Sequence, residues 1–119
     1  MVNSTPKYIA VSVKEGMKVL SVDKIMYLQS SGRYTSIHLV DKTSIAVCKN
    51  LGHFDKLFES LYFIRVHNSF LINVDYLETI VKYGGGQYCL LNKKIMIPIS
   101  NRKFSYVKEY LHYWFYGLV

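Results

Sequence analysis

Polar side chains able to grip or read a polyanion recur at three points of the chain, at nearly even intervals: Ser31-Gly32-Arg33-Tyr34, His67-Asn68-Ser69 and Ser100-Asn101-Arg102-Lys103. Arg and Asn carry paired donors and acceptors that match guanine and adenine edges, while Ser and Lys suit phosphate oxygens. Each cluster alone reads as an ordinary solvated loop between strands. Three in series make a candidate binding surface.

Other chemistries are poorly provided for. The four histidines, His38, His53, His67 and His112, lack the i,i+4 or H-E-x-x-H spacing that turns two imidazoles onto one metal. Ser69 and His67 lie close in sequence, but no G-x-S-x-G context surrounds them. Gly84-Gly85-Gly86 lacks the helix and lysine of a phosphate-cradling loop and reads as a turn. The expectation is a non-enzyme with neither cofactor nor metal. Cys48 and Cys89, each in an apolar run and outside any C-x-x-C pair, are expected to be reduced and buried.

Composition points the same way. The chain has 119 residues, half of them apolar, with 15 Lys+Arg against 8 Asp+Glu and a net charge of +7. That is one domain's worth of core. Its positive balance favours a polyanionic partner, nucleic acid ahead of an anionic membrane. From Lys82 onward, Lys82, Lys93, Lys94, Arg102, Lys103 and Lys108 face Glu109 alone. "MVNSTPKY" has no apolar signal-like core, and no apolar run reaches the roughly 18–20 residues of a membrane span. A cytoplasmic protein with no membrane partner is expected.

The elements that must position these clusters are mostly strands, as eleven Tyr and six Phe suggest. Residues 1–6 read as a linker and 7–119 as the domain. Strands are expected over Lys7–Val13, near Lys18–Leu20, through "VDKIMYLQSS", and then as a hairpin of Arg33–Val40 with Thr43–Cys48. Asn50–Ser60 changes period: Leu51, Phe54, Leu57 and Phe58 fall on one side of a short helix that Asn50 can cap. Strands resume at Tyr62, with Glu78–Tyr83, Gln87–Leu91 and Lys94–Ile97 separated by turns at Gly84-Gly85-Gly86 and Asn92-Lys93. Ser100 caps a closing helix whose Phe104, Val107, Leu111, Trp114 and Phe115 share a face.

Within "YFIRVHNSFLIN", residues 62–73, a period of two puts Ile64, Val66, Phe70 and Ile72 on one face, with Asn68 among them. An unpartnered buried amide costs on the order of 1–3 kcal/mol. The segment therefore reads as two short strands broken at His67-Asn68-Ser69, which puts those three residues outside. Arg65 is expected to pair with an acid inside the fold, His67 to orient the loop, and Asn73 to bond backbone at a turn.

In order along the chain, "VDKIMYLQSSGRYTSIHL", "NLGHFDKLFESLYFIRVHNSFLINVDYLETI" and "KIMIPISNRK" resemble the LytTR DNA-binding domain, the output module of many bacterial LytR/AlgR-type response regulators. The likeness runs from about Lys7 to Leu111. It implies a mostly β fold of about ten short strands in small stacked sheets, with one short internal helix and a C-terminal helix. It further implies that loops, in place of a recognition helix, enter the major groove of double-stranded promoter DNA. The partners implied are direct-repeat sites bound by two copies as a homodimer on DNA, and a receiver domain in a longer chain unless the regulator stands alone. By position the DNA-binding residues are Arg33, Tyr34, His67, Asn68, Ser69, Asn101, Arg102 and Lys103. Gln29 replaces a frequent Glu, and Asn68 and Asn101 stand where Arg is common, so base preference does not carry over from relatives. The alternative is a non-enzymatic β-rich interaction or ligand-binding module that uses the aromatic tail "YLHYWFYGLV".

Overall fold

In a computed structural model, which describes residues 7–59 and 61–114, ten strands form three antiparallel sheets accompanied by two helices. The order is β1 (Tyr8–Val13), β2 (Gly16–Ser21), β3 (Ile25–Ser31), β4 (Tyr34–Leu39), β5 (Ser44–Val47), α1 (Leu51–Leu57), β6 (Phe63–His67) and β7 (Phe70–Asn73). There follow β8 (Leu77–Tyr83), β9 (Gly86–Leu91), β10 (Ile95–Ile99) and α2 (Asn101–Trp114). The expected mostly β fold with an internal and a C-terminal helix is the one observed. The linker expected over residues 1–6, Ser60, Phe115 and the end of the aromatic tail lie outside the described residues.

The five-stranded sheet, in the order β5-β4-β3-β7-β6, is the middle layer. On one face Leu28, Ile37, Val47, Phe63 and Leu71 pack with Leu51, Phe54 and Phe58 of α1 and with Val11 and Leu20 of the β1–β2 hairpin. On the other face Ile64, Val66 and Ile72 meet Cys89, Leu91, Ile97 and Ile99 of the β10-β9-β8 sheet and Val107 of α2. Strand alternation sorts residues between these two cores. Pro98 is tolerated because β10 is an edge strand, where a missing N–H breaks no second ladder.

Two bulges adjust that alternation. One between Ile25 and Tyr27 turns Ile25 and Leu28 into the same core. The other, between Arg65 and His67, leaves Val66 outside the regular pairing with β7. A bulge releases backbone groups from the ladder, and those groups need other partners. Val66 finds its partner in α2, whose entry residue Ser100 donates its N–H to the Val66 carbonyl at 3.0 Å.

Several local expectations hold. Asn50 Oδ1 accepts from His53 N–H at 2.9 Å and caps α1, and Ser100 Oγ accepts from Lys103 N–H at the start of α2. Phe104, Val107 and Leu111 of α2 pack into the second core. Two differ. The α1 helix ends at Leu57, which is 47% exposed instead of joining Phe54 and Phe58, because the turn at Phe58 closes the helix one residue later and leads the chain into Leu61 and Phe63. Cys48 is exposed, since β5 ends at Val47 and the chain leaves the sheet there; Cys89 is buried, and burial pushes its thiol up to about 12.

Asn73 is fully buried at the end of β7. Its Nδ2 donates to the Ile25 carbonyl at 2.9 Å and its Oδ1 accepts from Asp75 N–H at 3.0 Å, tying β3, β7 and the following 3-10 turn together. Replacing Asn73 by Ala strands both groups, and stability should fall by about 3 kcal/mol. Urea unfolding is expected to show this as a lower midpoint with an unchanged slope.

Candidate functional site

Strand direction decides which turns share an end of the molecule. β3 runs from Ile25 to Ser31 and turns through Gly32-Arg33 into β4, with Ser31 opposite Tyr34. Gly32 has φ +62°, the positive value that the first position of such a two-residue turn requires and that glycine adopts without strain. β6 and β7 meet through Asn68-Ser69, with His67 opposite Phe70. The Ser30 N–H donates to the Ser69 carbonyl at 2.9 Å, so these two turns are neighbours. The Ser100–Val66 bond adds the start of α2 to the same edge.

The three polar clusters, far apart in sequence, therefore form one row. Arg33, Tyr34, Asn68, Asn101 and Arg102 are exposed, while His67, Ser69 and Lys103 are half-buried. Lys103 extends over the Tyr106 ring, its Nζ 5.3 Å from the centroid.

The middle turn is held by an arginine. Arg65 donates from Nε to the His67 carbonyl at 2.8 Å and from an Nη to the Asn68 carbonyl at 2.5 Å. Its other Nη faces Asp55 Oδ2 of α1 at 3.3 Å, giving the expected internal pairing with an acid and the one ion pair formed among the described residues. A rigid planar fork can satisfy two carbonyls and a carboxylate at once, which an ammonium cannot do with the same geometry. His67 also orients the loop: its Nδ1 accepts from Ser69 N–H at 3.1 Å, which in the neutral ring leaves the proton on Nε2. Asn68 thus spends its backbone on the fold. No hydrogen bond among the described residues uses its side chain.

Beneath this edge an aromatic row crosses four adjacent strands. His38 of β4 stacks on Tyr27 of β3 at 4.3 Å, Tyr27 tilts against Phe70 of β7 at 6.3 Å, and Phe70 meets His67 of β6 edge-on at 5.7 Å. Sequence patterning missed this row because it depends on register. Burial pushes His38 below the ordinary histidine value of 6.5 and raises the Tyr27 hydroxyl.

The carboxylates are unevenly placed along the same axis, although the lysines are not: Lys24, Lys42, Lys93 and Lys94 share the end opposite the row. Asp23, Asp41, Asp75 and Glu78, four of the eight carboxylates, lie at the opposite end, where β3, β5 and β8 begin. The turns on the row carry Arg33, Arg102 and Lys103 and no carboxylate. Such an edge attracts an anion over a distance of about one Debye length, near 8–10 Å at ordinary salt. Among the described residues no group of three or more His, Cys, Asp or Glu could hold a metal, and no helix is long and apolar enough to cross a membrane.

Comparison with known proteins matches residues 15–112 to the family model of the LytTr DNA-binding domain. The chain is 29% identical over 105 residues to the sensory transduction protein LytT of Bacillus subtilis, covering 87% of this chain and 43% of that one. It is 28% identical over 95 residues to LytT of Oceanobacillus iheyensis, covering 77% and 39% respectively. It therefore spans only 39% to 43% of the length of these curated relatives. A solved LytTr DNA-binding domain from Bacillus cereus has the same fold, with a TM-score of 0.77 at 21% identity, covering 90% of this chain and 98% of that domain.

Two outcomes are expected from this geometry. Arg65→Met should cost about 2 kcal/mol and speed amide exchange at Ser69, and Arg65→Lys should restore little of either, because the paired carbonyl bonds are lost in both. For His38 the unfolded ring takes up a proton near 6.5 while the folded ring resists. Stability should therefore fall as pH drops through 6.5 toward the lower folded value, and His38→Gln should flatten that limb in a series of urea titrations.

Proposed function

We propose, from the premise that this chain belongs to the LytTr DNA-binding domain family, that its row of loops reads duplex DNA through the major groove. The chain is a DNA-binding domain of the transcription-regulating kind, and the interaction module built on the aromatic tail is not favoured. What supports the loop reading above all is one observation: two backbone bonds, Ser30 to Ser69 and Ser100 to Val66, align three polar clusters whose own residues include no carboxylate.

The side chains divide by exposure and chemistry. Asn68 stands at the centre with its amide uncommitted and is suited to the N6/N7 edge of adenine. Arg33 and Arg102, exposed on either side, suit guanine edges or phosphates, and Asn101 is a second amide at the start of α2. Tyr34, Ser69 and Lys103 offer hydroxyl and ammonium groups for the backbone oxygens. His67 holds the turn through its Nδ1. The N-terminus of α2 adds a favourable dipole for phosphate.

Two copies on direct-repeat promoter sites as a homodimer, a receiver domain elsewhere in a longer chain, and a cytoplasmic location all belong to the same reading. The curated relatives are named as sensory transduction proteins and are more than twice as long as the matched segment, which supports a regulatory partner domain.

Selection of bound fragments from a random-sequence duplex pool tests the reading. It should return a defined sequence whose affinity falls steeply with salt as counterions are released. Asn68→Ala should relax preference at one base pair, worth about 1–3 kcal/mol, whereas Lys103→Ala should weaken selected and scrambled duplexes alike. A pool that never enriches, or binding indifferent to salt, would overturn it.

A further inference from the structure

The β8–β9 turn belongs to the same edge. β8 starts at the carboxylate-bearing end, where the Tyr76 hydroxyl donates to the Asp23 carbonyl, and runs seven residues to Tyr83. Gln87 of β9 pairs with both Ile99 of β10 and Lys82 of β8. Ile99 is the last strand residue before Ser100 and α2. The Gly84-Gly85 tip therefore projects about 7–10 Å past Ile99, at roughly 3.3 Å per residue, in the direction that leads β10 to Asn101.

The composition of this tip suits a phosphate backbone. Lys82 is exposed and the Tyr83 ring is 71% exposed. Gly84 and Gly85 have φ of +57° and +83°, and a Cβ built on either meets nothing within 4 Å. The turn is therefore bare backbone facing open space, beside a shallow depression of about 290 Å³ lined by Lys82 through Gln87. No carboxylate lies between Glu78 and Glu109 in sequence, and Glu78 sits at the opposite end of β8. An ammonium, a phenol and unshielded amides together offer donors to phosphate oxygens without a base-reading geometry.

We propose that the β8–β9 tip is a fourth DNA contact: Lys82, Tyr83 and the glycine backbone grip the phosphates flanking the base pairs read by the other loops. The contact rests on the DNA-binding reading above and extends its footprint. It is an anchoring contact that adds affinity without sequence preference.

The test compares Lys82→Ala, Tyr83→Ala and Lys94→Ala in the full chain. Lys94 lies in the β9–β10 turn at the opposite end, so its removal makes the same change in net charge away from the edge. The probes are the duplex recovered by selection and a scrambled duplex of equal length, each titrated across a range of salt. Lys82→Ala should weaken both duplexes roughly threefold to tenfold and make the salt slope shallower by about 0.9, the release of one phosphate's counterion. Tyr83→Ala should weaken both alike with little change in slope, and Lys94→Ala should leave slope and affinity near those of the parent. Equal effects from Lys82→Ala and Lys94→Ala would reduce the tip to bulk charge and overturn the proposal while leaving the loop reading intact. Parent protein that binds neither duplex would overturn both.

Discussion

The guanidinium of Arg65 is the interaction on which the functional edge depends. The bulge at Val66 and the tight reversal at Asn68-Ser69 interrupt regular strand pairing around the carbonyls of Val66, His67 and Asn68. Left to water they would permit many turn conformations, at a backbone ordering cost of about 1–2 kcal/mol per residue. Arg65 donates to the carbonyls of His67 and Asn68, and Ser100 N–H donates to that of Val66. Asp55 on α1 balances the charge and fixes the fork's direction. Because Ser69 then presents its own carbonyl to Ser30, the fixed turn also locates the neighbouring one. Order spreads from one side chain to three loops.

This arrangement explains how the loop side chains keep in register. Loops are ordinarily the mobile parts of a fold. Here they are short, two of them are two-residue turns, and each is bonded to the next through backbone atoms. Below them the His38–Tyr27–Phe70–His67 row couples four strands, so a displacement of one turn would have to disturb ring packing across the sheet. Four carboxylates lie at the far end beside Lys24, Lys42, Lys93 and Lys94, and the three turns of the edge carry Arg33, Arg102 and Lys103 without a carboxylate of their own.

Much of the fold was legible because it is written in short-range patterns. Strand alternation, the glycine turns and the helical spacing of Leu51, Phe54 and Phe58 are each decided within a few residues. The break at Asn68 was legible for a related reason: one amide on an apolar face conflicts with its neighbours, and only a turn resolves the conflict. Leu57 and Cys48 were misplaced because their exposure depends on where an element ends, and capping and strand termination shift such ends by one or two residues. The alignment of the three clusters was legible only as a coincidence of composition. Its cause is long-range pairing, together with a bond between residues 66 and 100 that no local window contains. The β8–β9 tip read as a mere turn for the same reason, since only the shared register of Gln87 with Ile99 and Lys82 puts it on the edge.

The division between backbone and side chain at Asn68 separates what holds the turn from what the turn presents. Every bond that holds the turn there uses main-chain atoms of residues 67, 68 and 69, the guanidinium of Arg65 or the His67 ring. Substituting Asn68 therefore alters the donors and acceptors on the surface without removing a structural bond, and at an exposed site it creates no cavity. Asn101 is placed the same way: α2 is capped by Ser100 Oγ through the Lys103 amide, not by the Asn101 amide group. Arg65, His67 and Ser100 carry the opposite constraint, since their side chains hold the turn or the helix. The side chains at Asn68 and Asn101 can thus vary while the scaffold stays fixed, and under the proposed loop reading that variation would change the target without changing the mode of binding.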